Sequence, residues 1–189
     1  MNYQQLWAPW RLAYISADLE KQGTERQRPR ADEDSACFIC RGAVGDDDRG
    51  RLVVQHGPHS LTILNRYPYN NGHLLVAPKR HVARLDELTA DESLDIFQTI
   101  AQMIGLLERT IRAEGFNVGL NLGRVAGAGL PGHVHWHIVP RWNGDTNFMP
   151  VTAGIRVIPQ SLEALWEILT NALAGGEQGA GSKERGVEN

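Results

Sequence analysis

His133, His135 and His137, alternating in GHVHWHIVPRW, place three of the chain's seven histidines within five residues. On a strand, side chains two apart share a face, so the imidazoles face one way while Val134, Trp136 and Ile138 face the other, ready for burial under helices. Neighbouring same-face positions stand about 6.5 to 7 Å apart, so one phosphate can touch two imidazoles although three cannot bond one another directly. The row expects a ligand between its members.

Three readings follow. The row can be the polar face of a half-buried strand, a bland account that three crowded histidines disfavour. It can be a metal site, since two histidines at i and i+2 chelate one zinc and leave a position for water, given a third ligand and an acidic base. It can also be a covalent catalyst, in which one neutral imidazole attacks phosphorus while its neighbours orient it and hold the oxygens. An ordinary histidine pKa of about 6.5 already leaves most of the side chain neutral at pH 7. This last reading needs an anion cradle. The preceding loop, GRVAGAGLPG, carries Gly123, Gly127, Gly129 and Gly132, whose N–H groups can approach an anion closely. The loop lacks the G-K-[ST] ending of a Walker loop and leads into a strand.

The only cysteines, Cys37 and Cys40, form a C-x-x-C, which in a reducing compartment suggests a metal ligand pair or redox chemistry. The chain has 189 residues, 42% of them hydrophobic, which suits one domain with a sizeable core. A net charge of −3, with no strongly basic block, argues against a dedicated nucleic-acid or membrane-surface binder. No apolar run reaches the roughly 18 to 20 residues of a membrane span, and the start lacks a signal-peptide pattern, so a cytoplasmic protein is expected.

The elements that position these residues are legible in outline. Residues 1–36 combine an aromatic segment, suited to docking on the core or on a second subunit, with a polar, mobile connection. RLVVQ (51–55), SLTILN (60–65) and HLLVAP (73–78) read as strands separated by turn signals, an antiparallel meander. Leu94, Phe97, Ile100, Ile104, Leu107 and Ile111 recur at helical spacing, Thr89 with Glu92 suits a capping box, and Gly115 suits the left-handed stop. FNVGLNL (116–122) and HVHWHIVP (133–140) read as a returning strand pair, a last helix is expected over 161–174, and 175–189 as a disordered tail. The order favours an α+β fold, an antiparallel sheet of about five strands packed with two helices.

HVHWHIVPR resembles the signature of the histidine triad family, and the likeness extends through CFIC, LTILNRYPYNNGHLLVAPKRHV and GLNLG, about residues 37 to 142. LWAPWRLAYI and PRWNGDTNFMPV resemble the bacterial branch acting on dinucleoside polyphosphates such as diadenosine tetraphosphate. The resemblance implies a histidine triad domain over 37–174, with sheets joined across a homodimer. It makes His135 the nucleophile, with His137 and His73 supporting it and the phosphates. Asn65 would line the nucleoside pocket, Asn121 would lie near the phosphates, Gly127 and Gly129 would belong to the phosphate loop, and Trp142 would be a substrate-side aromatic. Cys37, Cys40, His81 and His133 would hold a structural zinc, with no catalytic metal. One departure stands out: Gly129 and Leu130 occupy positions where many members carry Gln-Ser or Gln-Thr, leaving more phosphate binding to backbone N–H groups. Phosphorolysis and hydrolysis both remain open. So do hydrolysis of other adenylated substrates of the phosphoramidate type, a zinc hydrolase using the row as ligands, and a non-catalytic nucleotide-binding module.

Overall fold

The computed structural model describes residues 37–145 and 158–180, with side chains as far as residue 175. They belong to the compact unit formed by residues 31–189. The aromatic start and connection expected over 1–36, and the tail beyond Ala180, lie outside the described residues.

Helices α1 (Phe38–Val44) and α2 (Asp48–Arg51) lead into strands β1 (Val53–His56), β2 (Ser60–Leu64) and β3 (Leu74–Pro78). The long helix α3 (Ala90–Ile111) follows, then β4 (Gly115–Leu120), β5 (Trp136–Arg141) and α4 (Leu162–Ala180). The five strands pair antiparallel in the order β1-β2-β3-β5-β4, so the expected meander and the β4–β5 return share one sheet.

Four local expectations need correction. The first two helices escaped the sequence reading, and RLVVQ becomes a strand only at Val53, because Arg51 ends α2 and Leu52 adopts a left-handed φ of 61° as its C-cap. The Thr89–Glu92 capping box forms, yet α3 ends on Arg112 at φ 53°, whereas Gly115 opens β4. The buried stripe of α3 runs through Ile96, Ile100, Met103, Leu106 and Leu107, leaving Leu94 and Phe97 59% and 62% exposed. Finally, α4 continues to Ala180, past the expected end at 174.

β2 and β3 are buried along their whole length because both faces of the sheet are covered. Register separates the faces: Thr62, Val76 and Trp136 align on one, and Ile63, Leu75 and His137 on the other. The first lies under α3, where the Ser60 and Thr99 hydroxyls meet at 3.0 Å. The second meets α1 at Gly42, where a Cβ would stand only 3.1 Å from Leu61 and 3.2 Å from Val53. Glycine therefore allows α1 to sit close to the histidine-bearing face. α4 adds Leu165 and Leu169 to the core, and its Trp166 indole donates to the Val53 carbonyl at 2.7 Å.

Candidate active site and metal centre

The strand expected over 133–140 begins only at Trp136. Before it, the Val134 N–H donates to the Val82 carbonyl at 2.7 Å, so residues 133–135 follow the loop after β3 instead of its ladder. That displacement sends the first histidine away from the other two.

His133 is fully buried, and its Nε2 stands 2.8 Å from the Pro78 carbonyl oxygen. A carbonyl only accepts, so Nε2 carries the proton and Nδ1 presents its lone pair. Nδ1 lies 3.3 Å from Cys37 Sγ and 3.4 Å from Cys40 Sγ, while His81 Nδ1 lies 3.1 Å from Cys40 Sγ. All four donor atoms fall within 4.8 Å of one another. A tetrahedral Cys₂His₂ zinc site has sulfur–nitrogen edges of roughly 3.5 Å, so the cluster fits such an ion with little movement. The Pro78 carbonyl is the outer partner that holds a ligating imidazole in its tautomer. Neither cysteine is in a disulfide. The cluster is built locally: Cys37 is the N-cap of α1, its sulfur receiving the Cys40 N–H at 3.5 Å.

His135, buried like His133, points its Nδ1 at the His133 carbonyl oxygen, 2.8 Å away. The same logic places the proton on Nδ1 and the lone pair on Nε2. Burial lowers its pKa, against the opposing effect of that carbonyl bond. Its ring centroid is 5.1 Å from that of His137. His73, fully buried just before β3, accepts the Tyr69 N–H on Nδ1 at 3.0 Å. Its Nε2–H therefore donates to His137 Nδ1 at 2.9 Å, which leaves the His137 proton on Nε2. Burial, then the neighbouring His137 and His135, pushes the His73 pKa down to about 3; burial and His135 push that of His137 to about 4. All three imidazoles are thus neutral near pH 7.

Asn65 joins this cluster to a cleft of about 530 Å³. Its amide nitrogen is 3.2 Å from His73 Nδ1, and it lines the cleft with Phe38, Arg41, Ile63, Leu64 and Tyr67. Asn121 follows β4, two positions beyond Gly119, which pairs with His137 across the ladder. Gly127 caps a short 3-10 turn over Arg124–Ala126 at φ 89°, and its N–H donates to the Arg124 carbonyl. It thereby shapes the loop that was expected to border the phosphates. Gly129 lies in the same exposed loop.

Trp142 is not brought to this cluster. It stands five residues beyond His137, roughly 16 Å along an extended chain, and its indole N–H donates to the Arg112 carbonyl at 2.8 Å, closing the C-terminus of α3. Sequence reasoning missed Tyr69, whose ring lies 4.7 Å from His73 and 5.7 Å from His137, nearly parallel to the latter. The turn-like composition of RYPYNNG gave no sign of that contact. It also missed Phe38 and Arg41, because α1 itself was not anticipated.

A cluster of three imidazoles beside a cleft, joined through the segment 133–137 to a Cys₂His₂ set, defines a histidine triad site. The HIT domain model matches residues 49–144, and the chain belongs to the HIT family. It is 38% identical over 171 residues to the AP-4-A phosphorylase of Mycobacterium tuberculosis, covering 90% of this chain and 85% of that protein. It is also 38% identical over 96 residues to the asymmetrical bis(5'-nucleosyl)-tetraphosphatase of Schizosaccharomyces pombe, covering 51% and 52% of the two chains. A zinc-bound histidine triad family protein from Mycobacterium smegmatis superposes with a TM-score of 0.62 at 26% identity, covering 77% of this chain and 99% of that one.

Proposed function

We propose that this protein cleaves dinucleoside polyphosphates, diadenosine tetraphosphate among them, through a covalent nucleotidyl-histidine. The carrying observation is the 2.8 Å bond from His135 Nδ1 to the His133 carbonyl, which leaves Nε2 as a lone pair held in one orientation. In the first step Nε2 bonds to the α-phosphorus, and the bond from that phosphorus to the bridging oxygen breaks. Its electron pair leaves with the nucleoside polyphosphate. The imidazole becomes cationic on nucleotidylation, and the His133 carbonyl stabilises the proton retained on Nδ1. His137, its proton on Nε2, donates to a phosphate oxygen as charge develops there. In the second step an oxygen of phosphate or water attacks the phosphorus, the P–Nε2 bond breaks with its electron pair returning to the neutral imidazole, and the acceptor's proton is released to solvent.

The nucleoside enters the cleft beside Asn65, and Asn121 and Gly129 border the phosphates. Similarity across most of the chain to a phosphorylase favours phosphate as the acceptor. Product analysis decides: with diadenosine tetraphosphate, phosphorolysis yields ATP and ADP, hydrolysis yields ATP and AMP. Turnover unaffected by added phosphate, with AMP as product, would overturn the phosphorolytic reading.

Cys37, Cys40, His81 and His133 would hold a structural zinc, because two thiolates and two imidazoles complete a tetrahedron and leave no position for a reacting water. Residence in the reducing cytoplasm would keep both thiols available as ligands. No helix among the described residues is long and apolar enough to cross a membrane. We also infer a homodimer: β4 is a sheet edge among the described residues, and the exposed Val118 and Leu122 lie on and just beyond it. Pairing with a second copy would cover that edge.

A further inference from the structure

We propose that the Cys37, Cys40, His81 and His133 cluster positions both halves of the active site, so that metal and nucleotide bind as mutually reinforcing ligands. The inference rests on the reading that this cluster binds zinc. It goes beyond a stabilising role because two separate connections run from the cluster to the site.

The first is His133 itself. Its ring is fixed at both nitrogens, by the Pro78 carbonyl on Nε2 and the sulfur pair at Nδ1. Its own carbonyl receives the His135 Nδ1–H. Locking the ring therefore locks the peptide group that sets which nitrogen of His135 carries the lone pair. If the ring is released, the carbonyl can rotate away and the Nε2–H tautomer, which cannot attack phosphorus, becomes accessible to His135.

The second connection is α1. Seven residues are too few for a helix to hold itself in water, so its placement depends on its anchors. Cys37 caps the helix and Cys40 lies in its first turn. Between and beside them, Phe38 and Arg41 form one wall of the 530 Å³ cleft. Filling the cluster pins the N-terminal turn of α1 and therefore that wall. His81 braces the same unit: the adjacent Val82 carbonyl holds the Val134 N–H, and the preceding Arg80 makes a paired contact with Glu92 at the start of α3.

Linkage makes the coupling testable from either side, since a metal that improves nucleotide binding must itself be held more firmly when nucleotide is bound. The experiment uses the full chain with its zinc content and AMP affinity measured first. The equilibrium partition of zinc between the protein and a chromogenic chelator is then measured with and without saturating AMP. We expect AMP to tighten zinc binding about five-fold or more, the lower end of typical coupling between sites. Equal zinc affinities in a protein that holds zinc and binds AMP would overturn the coupling and leave the metal-binding reading intact. A chain that takes up no stoichiometric zinc, or binds no AMP, would overturn the proposal together with the reading beneath it.

A second measurement excludes general stabilisation. In ¹⁵N spectra, His135 should report a single Nδ1–H tautomer with zinc bound and an exchanging mixture after zinc removal. An unchanged single tautomer in folded, zinc-free protein overturns the first connection. If removal unfolds the chain, the reciprocal measurement on the zinc-loaded protein decides alone: AMP affinity with zinc bound against AMP affinity with the chelator holding part of the zinc.

Discussion

Two clusters of imidazoles lie side by side, sharing the segment 133–137, and they are built for opposite ends. In the first, Cys37, Cys40, His81 and His133 turn their donor atoms toward one point. In the second, His73 and His137 form a donor–acceptor chain, and His135 stands beside them. Residue type alone does not separate them, since each contains histidines of the same triad. The difference lies in what the other ring nitrogen touches. A carbonyl on His133 Nε2 turns Nδ1 toward the sulfurs, and a carbonyl on His135 Nδ1 leaves Nε2 to meet a substrate. A second-partner bond thus selects between ligand and nucleophile.

Substituting one member of each cluster should separate the two roles. His135→Asn is expected to lower kcat on the order of 10⁴-fold or more, the scale reached when a covalent nucleophile is removed. Its Tm should fall by no more than roughly 4 °C, since one hydrogen bond contributes about 1 kcal/mol. Retained turnover would end the covalent reading. Cys37→Ser should have the reverse emphasis: lost zinc stoichiometry and a Tm lower by roughly 10 °C, from about 3 kcal/mol or more of lost metal-linked stability. A full complement of zinc in that variant would break the comparison.

Acid should sharpen the contrast within the histidine chain. His73 and His137 have folded-state pKa values near 3 and 4, below the ordinary value of 6.5. A base with a depressed folded pKa binds more protons when unfolded, so stability rises with pH through the window between those values. It is therefore lost progressively as pH falls from about 6.5 toward 4, and the contribution is fully present above that window. Denaturant titrations from pH 7.5 to 4.5 should show this slope, and it should be shallower in His73→Asn. Equal slopes in the two proteins would mean that His73 is not held neutral by its surroundings.

The strands and the long helix were legible because each carries a periodic pattern or a strong turn beside it. The capping box at Thr89 worked because it is a local hydrogen-bond pair. The short helices were not legible: FICRGAV and DRGR are too brief for periodicity to show, and packing at Gly42 against Leu61 is a long-range fact. The same limit explains why Leu94 and Phe97 were assigned to the core face of α3, although Ile100 and Leu107 of the same set are buried there. Packing against the sheet and α4, which spacing alone does not reveal, turns the stripe toward Ile96 and Met103. At the site, histidine spacing announced chemistry, but the departure of His133 from the row depends on Val134 bonding to Val82, fifty-odd positions away. Tyr69 was hidden for a similar reason, since its backbone N–H reaches His73 only after the turn has folded.

The smallest expected effect tests the residue that resemblance and geometry place differently. Trp142 was expected on the substrate side, yet its Nε1–H reaches the carbonyls of Ile111 at 3.3 Å and Arg112 at 2.8 Å. Helix C-termini leave carbonyls without intrahelical donors, and the left-handed Arg112 exposes its own there. Trp142→Phe keeps an aromatic ring and removes that donor. The expected cost is about 1 kcal/mol, seen as a Tm lower by roughly 2 to 4 °C. Measured beside it, kcat/KM for diadenosine tetraphosphate should stay within about two-fold, a difference of under 0.5 kcal/mol at the transition state. The opposite pattern, with kcat/KM down ten-fold and Tm unchanged, would return Trp142 to the substrate. The catalytic unit would then extend past the two clusters to the far end of β5.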